Sequence, residues 1–251
     1  MGLPYSRLER EIVDSCIEVY LDPETIRKLG DRFFNIDKIR KLMLAKTEVT
    51  KSEIYPIIKR GSVLDLGCGV SPASILLALY GFDVISVDTN PYFLKRLKEV
   101  AKKYGAEKNI QLKTGDFEYL PLTDKSVDVT ISFDGLVSKI GLPKILEDHE
   151  DFKTKIVRKQ QKILQEQIEK GLSRRYLLDY ESGDQVCIPY SVKAFEEARR
   201  VTSKALMIGV SCSEPFCNIF KSVKKIGEKT GFNYYSDVRI VDGLFKYMII
   251  K

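Results

Sequence analysis

The run Val63 to Gly69 reads Val-Leu-Asp-Leu-Gly-Cys-Gly, and it limits the fold more than any other stretch of the chain. An apolar strand ends in a glycine turn, and a helix-forming stretch follows from Ser71 and Pro72. Glycine has no Cβ and tolerates φ > 0, so a backbone built this way can approach a ligand closely. Pro72 suits the first turn of a helix, where its missing N–H is not needed. Nineteen residues beyond Gly69, the apolar run Val84 to Val87 closes on Asp88. An acid at that point is placed to accept hydrogen bonds from ribose hydroxyls. The layout is that of a nucleotide-type site at the C-terminal edge of a parallel sheet.

The turn itself separates two classes of ligand. A dinucleotide fingerprint requires Gly-x-Gly-x-x-Gly, whose third glycine packs the helix on the strand. Here the run is Gly67-Cys68-Gly69-Val70-Ser71-Pro72, and that third glycine is absent. Asp65, two residues before the first glycine, would put a negative charge near a pyrophosphate. A ligand with a cationic sulfonium and an ammonium group suits that acid better.

These residues resemble the class I S-adenosylmethionine-dependent methyltransferases. Val63 to Gly69 looks like the family's first motif, which brings Asp65, Gly67, Cys68 and Gly69 to the cofactor. Asp88, followed by Thr89, matches the acid that holds the ribose. Thr114-Gly115-Asp116-Phe117 looks like the third motif, in which the acid meets the adenine amino group and the next side chain flanks the ring. Val127 to Asp134 looks like the fourth strand, which ends at Ser132 and Phe133 beside the methionine part of the cofactor. The resemblance runs from about Ser62 to Lys251, with an unmatched stretch near residues 141–190. It departs from the family at Ser71-Pro72, and Phe133-Asp134-Gly135 fits no substrate-specific signature. It implies S-adenosyl-L-methionine as cofactor and methyl transfer as the activity. A non-catalytic cofactor-binding module is the alternative from another class.

Local patterns fill in the architecture. Strands are expected at 62–66, 83–87, 109–113, 127–133 and 205–211, and helices at 72–80, 91–104, 192–202 and 216–230. This alternation argues for a parallel sheet covered on both faces. Two apolar runs, 234–241 and 244–250, flank Asp242-Gly243, a hairpin turn. The fold class is therefore α/β: a doubly wound, mostly parallel seven-stranded sheet with a C-terminal antiparallel hairpin. An N-terminal helical extension, 1–60, packs on the Rossmann-like domain, 61–251, near the cofactor mouth. In the extension Leu8, Ile12, Cys16 and Val19 recur at helical spacing. Asp22-Pro23-Glu24 reads as a helix start, Gly30 as a stop, and two further helices cover 36–45 and 51–59.

A helical insertion, 141–190, lies between the fourth and fifth strands. Lys144 to Lys170 reads as one long helix or two, amphipathic and surface-lying, and Arg174–Tyr180 with Gln185–Pro189 as a hairpin around residues 181–184. With the N-terminal helices, the insertion forms the wall around the acceptor, because specificity must come from what covers the sheet edge.

Composition narrows the function classes. The chain carries 41 Lys and Arg against 35 Asp and Glu. A surplus this small does not mark a duplex-binding protein. Residues 144–175 hold nine Lys or Arg against six acids, intermixed, whereas a duplex-binding face needs a less diluted basic surface. A small-molecule acceptor is therefore favoured. RNA is the runner-up, because tyrosines beside Arg174-Arg175 can stack on unpaired bases; a protein side chain is the remaining choice. The Asn/Asp-Pro-Pro-Tyr/Phe run of enzymes that methylate DNA amino groups is absent after the fourth strand. No apolar run approaches the roughly 20 residues that span a bilayer, and the N-terminus has no secretory core, so a cytoplasmic location is expected. The five cysteines form no Cys-x-x-Cys pair, and His149 is the single histidine, so no metal is expected. Cys68 reads as a small side chain under a tight turn rather than a nucleophile, and His149 as part of a solvated acidic helix face. Tyr5, Tyr20, Tyr176, Tyr180 and Tyr190 are candidates to line the acceptor site. Asp134, just past the fourth strand, is the candidate general base, though transfer from a sulfonium depends mainly on proximity.

Overall fold

Alternate residues of the central strands face opposite helical layers, and this period of two divides the interior into two cores. The computed structural model describes residues 6–23, 36–143, 182–189, 192–210, 219–241 and 245–251. On one side Val63, Val129, Ile131, Met207 and Phe245 pack together. On the other lie Leu64, Leu66, Leu206, Ile208 and Met248.

The seven-stranded sheet contains β1 (Ser62–Leu66), β2 (Asp83–Asp88), β3 (Ile110–Thr114), β4 (Val127–Phe133), β7 (Thr202–Val210), β8 (Arg239–Val241) and β9 (Phe245–Ile250). Its order is β3-β2-β1-β4-β7-β9-β8. The first five strands in this order pair in parallel, and β9 is antiparallel to both β7 and β8. The order reverses between β1 and β4, which opens a crevice at their C-terminal ends. Helices α1 (Arg7–Leu21), α2 (Ile36–Ile57), α3 (Pro72–Leu79) and α4 (Pro91–Lys103) contribute to the first core; α5 (Val192–Val201) and α6 (Ile219–Lys229) contribute to the second. The doubly wound fold read from the sequence is the one observed.

The N-terminal helices have no separate core. Ile12, Cys16 and Val19 of α1 and Ala45, Val49 and Ile54 of α2 are buried in the cluster that holds Val63 and Ala73. A capping box opens α1, with Ser6 and Glu9 bonding each other's backbone. Two expectations for this region change. Leu8, placed on the apolar stripe, is 47% exposed, and the buried face runs from Ile12. The helices expected at 36–45 and 51–59 are one continuous α2. Val49 and Thr50 are β-branched, but burial of Ala45, Val49 and Ile54 outweighs their lower helix propensity. Thr47 and Thr50 turn their hydroxyls back onto the carbonyls of Met43 and Lys46 within the helix. Asp22 closes α1 as its C-cap, and the expected helix start at 22–24 and stop at Gly30 run into residues outside the described set.

The strand after β4 was not expected. β5 (Val137–Pro143) and β6 (Ser182–Pro189) form a separate antiparallel ribbon, with Val137 opposite Pro189 and Ile140 opposite Val186. The hairpin read at 174–189 is corrected accordingly: Gln185–Pro189 is a strand, but its partner is β5, and residues 182–184 belong to the strand rather than to a turn. The expected helix at 144–170, its His149 and residues 174–180 lie outside the described residues. So does the turn Asp242-Gly243. The strand expected at 234–241 is reduced to β8. The Ile249 N–H donates to the Ser236 hydroxyl instead of a backbone carbonyl, which interrupts the ladder.

A charged network anchors the segment after β3 to α5. Arg200 donates to both carboxylate oxygens of Glu197, to Asp124 and to the carbonyls of Leu120 and Leu122. Glu197 also accepts the Leu120 N–H at 2.9 Å. The Arg200 guanidinium, against the opposing effect of burial, holds the Glu197 carboxyl below its usual range. A lowered folded-state value adds stability that is complete above the unfolded value of about 4.3 and is lost as pH falls through the folded one. Glu197→Gln is expected to destabilise the fold by about 2 kcal/mol at pH 7 and to reduce the pH dependence below about 4.3. Denaturant unfolding at pH 7 and pH 3.5 measures both; equal losses at the two pH values would count against the ion pair.

Candidate functional site

The glycine turn lies where β1 and β4 end, and three backbone features shape it. The N–H groups of Gly67 and Cys68 both donate to the Val87 carbonyl, at 2.8 and 3.2 Å, which ties the turn to the end of β2. Gly67 has φ +77° and Gly69 φ +53°, a region that L-residues with side chains seldom occupy. A Cβ on Gly67 would lie 2.7 Å from the Gly135 Cα and 3.0 Å from the Phe117 ring. A Cβ on Gly135 would collide in turn with the Leu66 carbonyl. The ends of β1 and β4 therefore cross with no room for a side chain.

Asp88 braces the turn from the side. One of its oxygens accepts the Gly69 N–H at 2.8 Å and the other the Asn90 N–H at 2.8 Å. Each carboxylate oxygen has two lone pairs, so both keep capacity for hydroxyl donors. Thr89 beside it is exposed. Asp116 accepts the Glu118 N–H at 3.0 Å, and Phe117, 7% exposed, sets its ring against Gly67.

Asp65 is beneath the turn rather than on it. It is 2% exposed and accepts the Ser74 hydroxyl at 2.6 Å. Because Ser74 gives its proton to Asp65, the 2.8 Å contact between Ser74 and Ser86 has Ser86 as donor. Burial pushes the Asp65 carboxyl above its usual range, against the hydroxyls of Ser74 and Ser71 and the charge of Lys46. Cys68 is also buried, and its thiol is pushed well above its ordinary value by burial and by Asp65 and Asp88. It stays protonated, as a small side chain under the turn should.

At the end of β4 the side chains divide between scaffold and crevice. The buried Ser132 hydroxyl donates to the Leu66 carbonyl at 2.9 Å and accepts the Leu136 N–H at 2.8 Å. Phe133 packs edge-on against Phe245 with centroids 5.1 Å apart. Asp134 has φ +64°, a strained value for a residue with a side chain, held by its N–H bond to the Gly209 carbonyl at 2.9 Å. Its carboxylate accepts from the Lys46 ammonium of α2 at 2.9 Å.

The N-terminal helices thus reach the crevice through two groups. Lys46 is one. Tyr20 of α1 is the other: its hydroxyl accepts the Val70 N–H at 3.0 Å and sits 2.6 Å from where a Gly69 Cβ would be. Burial raises the Tyr20 phenol above its usual range, so it keeps a proton to donate while it accepts. Tyr20 was one of five tyrosines that spacing could not rank; Tyr5, Tyr176, Tyr180 and Tyr190 lie outside the described residues. Lys46 and Gly135 carried no readable signal, since a lysine on an amphipathic helix looks solvated and Gly135 belongs to no known pattern. Among the described residues no group of three His, Cys, Asp or Glu side chains could hold a metal ion, and no helix is long and apolar enough to cross a membrane.

The chain matches the methyltransferase domain family over residues 57–230, more than half its length, and it belongs to that family. Among curated proteins, sterol 24-C-methyltransferase of Pneumocystis carinii is 30% identical over 88 residues. That stretch is 35% of this chain and spans only 23% of the relative. Two solved structures share the fold across nearly the whole molecule. A SAM-dependent methyltransferase from Aquifex aeolicus is 17% identical, with 91% of this chain and 97% of that one covered and a TM-score of 0.54. Magnesium protoporphyrin IX methyltransferase from Synechocystis PCC 6803, solved with bound SAH (S-adenosylhomocysteine), is 14% identical, with 94% and 98% covered and a TM-score of 0.56.

Gly67→Ala is expected to cost at least about 2 kcal/mol of stability, because its Cβ meets backbone as well as requiring positive φ. Gly69→Ala meets only the Tyr20 hydroxyl, so in a thermal-unfolding cycle Gly69→Ala with Tyr20→Phe should lose less than the two changes summed. Additivity would mean that the contact is not limiting. Asp65→Asn should leave the melting temperature at pH 7 unchanged or raised. The raised folded-state value of Asp65 means that its stability contribution is present below the unfolded value of about 3.9 and is lost as pH rises through the folded one. A clear drop in melting temperature would show that the Ser74 bond outweighs burial.

Proposed function

We propose that this methyltransferase-family protein takes a methyl group from S-adenosylmethionine and delivers it to a small-molecule acceptor. The observation that carries the reading is the acidic glycine turn. Gly67 and Gly69 leave their backbone open, and Asp88, Asp116 and Asp134 gather around an edge that Asp65 underlies. An edge so rich in carboxylates repels a pyrophosphate and attracts a cation. The chemistry of the residues suits the cofactor. Asp88 would take the ribose hydroxyls, Asp116 the adenine amino group and Phe117 one face of the ring, with Thr89 beside the ribose and Cys68, Ser132 and Phe133 shaping the floor. When bound, S-adenosylmethionine supplies an electrophilic methyl group on a positively charged sulfur.

The chain's own contribution is to orient the reactants and exclude water, which alone can account for a large part of such a rate. Asp134 is poorly disposed to act as a free base while Lys46 holds it. An acceptor that needs little deprotonation therefore suits the site best. The local likeness to a sterol 24-C-methyltransferase supports an acceptor of small size, as does the diluted charge of residues 144–175. We place the protein in the cytoplasm, where unpaired thiols such as Cys16 and Cys68 persist.

Calorimetric titration and label transfer test this function together. S-adenosylmethionine and S-adenosylhomocysteine should bind, a nicotinamide dinucleotide should not, and Asp88→Ala should weaken both adenosyl ligands by roughly 10- to 100-fold. Labelled methyl should appear in the small-molecule fraction of a cell extract. Label in the RNA fraction, with submicromolar RNA binding that falls steeply between about 50 and 200 mM salt, would replace the small-molecule reading. Tight cofactor binding with no transfer to any fraction would favour a binding module.

A further inference from the structure

A cavity of about 570 Å³ opens at the far edge of the sheet from the glycine turn, between the last turn of α2 and residues 234–239. β9 runs antiparallel to β7, with Ile250 opposite Leu206 and Lys246 opposite Val210, so β9 ends where the parallel strands begin. β7 has nine residues at roughly 3.3 Å each, which puts the two edges on the order of 25 Å apart. Volumes of roughly 300–1,000 Å³ are those of small-ligand sites. A bulge shapes the rim. Tyr235 bridges Ile250 and Arg239 lies opposite Tyr247, so four steps on one segment match three on the other. A bulge bends an edge strand and re-aims its side chains.

The lining combines three kinds of group. Pro56 and Ile57 of α2 and Ile249 of β9 form an apolar wall, and Tyr234, 54% exposed, offers its ring beside it. Lys204, Arg239 and Lys251 bring three cations against the one carboxylate of Glu53. Arg239 and the Tyr247 hydroxyl both donate to Glu53 Oε1, the latter at 2.8 Å, and Oε2 has no partner among the described residues. Lys204 gives one of its three donors to Asp128 at 2.9 Å and stays half exposed. Lys251 has no acidic partner among the described residues; its ammonium lies over the Tyr234 ring, 5.3 Å from the centroid. The carbonyl end of α2 opposes an anion, but Lys59 and Arg60 follow it at once, both exposed. Half-exposed ion pairs contribute little to stability, so stability alone does not account for cations gathered around a hollow.

We infer that this cavity is a second ligand site, and that it takes a nucleoside monophosphate or a molecule of the same chemistry: a planar ring, an N–H donor and a terminal anion. The ring would lie against Tyr234 and the apolar wall, where stacking tolerates any flat ring. The N–H would meet Glu53 Oε2. The phosphate would take the remaining donors of Lys204 and the ammonium of Lys251. The site is independent of the cofactor reading, because none of its residues belongs to the glycine turn or to the strand ends that carry Asp88, Asp116 and Asp134.

Guanosine 5′-monophosphate is the probe, because guanine presents an amino donor and lacks the adenine that the other edge should hold. The full chain is titrated calorimetrically with it, with guanosine and with inorganic phosphate, each with and without saturating S-adenosylhomocysteine. The nucleotide should bind equally in both conditions. Guanosine should bind on the order of 10-fold more weakly, as expected for charge-assisted bonds to the phosphate. Lys204→Met and Lys251→Met should each narrow that preference and leave guanosine unchanged. Tyr234→Ala should weaken nucleotide and nucleoside alike, by roughly 10-fold. All three side chains are half exposed or more, so the variants should keep the wild-type melting temperature. No heat from the nucleotide at millimolar concentration overturns the proposal, as does equal affinity for guanosine or for inorganic phosphate. Displacement of the nucleotide by S-adenosylhomocysteine also overturns it, by placing the ligand at the glycine turn. A single-stranded oligonucleotide bound far more tightly than the mononucleotide, and weakened by the same three changes, overturns it in favour of RNA.

Discussion

The contact between Gly67 and Gly135 governs the arrangement of everything at the sheet edge. It lets the chain leave β1 and β4 along crossing paths, with the Ser132 hydroxyl bonded to the Leu66 carbonyl beside it. The crossing admits no side chain and the Phe117 ring closes one flank, while Gly67 and Gly69 stay partly exposed. The same crossing aims Asp134 back toward the N-terminal helices, where Lys46 meets it. Val87 fixes the turn from β2 by accepting two amides, and Asp88 takes a third. Four strand ends are thus brought to one small region through backbone geometry before any ligand-binding side chain is considered.

Electrostatics then sets what that region accepts. Asp65 is kept under α3 at a cost in folding free energy, relieved in part by the Ser86–Ser74 hydroxyl chain. Asp88 and Asp116 add negative charge in sight of the turn, and Lys46 offsets it locally at Asp134. The result is an edge with separated positive and negative points, which matches a ligand that carries both signs and disfavours one with two phosphates.

The strands β1 to β4 and the helices between them were readable because they are buried on both faces and bounded by turn residues at regular spacing. The glycine turn, Asp88 and Asp116 were readable for the same reason: their places follow from strand ends. What the sequence did not reveal depends on contacts between distant segments. The continuity of α2 comes from burial of Ala45, Val49 and Ile54, which propensity at Val49 and Thr50 opposes. The pairing of β5 with β6 joins Val137 to Pro189 and Pro143 to Ser182, far apart in the chain, and alternation within either strand does not name its partner. Lys46 is 88 positions from Asp134, and nothing local distinguishes it from the other lysines of α2. Tyr20 became informative only once α1 was seen to lie over the turn.

A crystal structure of the full chain grown with S-adenosylhomocysteine tests the central claim most directly. The ribose should hydrogen-bond to Asp88, the adenine should lie against Phe117 with its amino group at Asp116, and the backbone from Gly67 to Gly69 should run alongside the sulfur-bearing chain. Ligand density away from the C-terminal ends of β1 and β4, or a ribose that leaves Asp88 bonded only to the amides of Gly69 and Asn90, would contradict it.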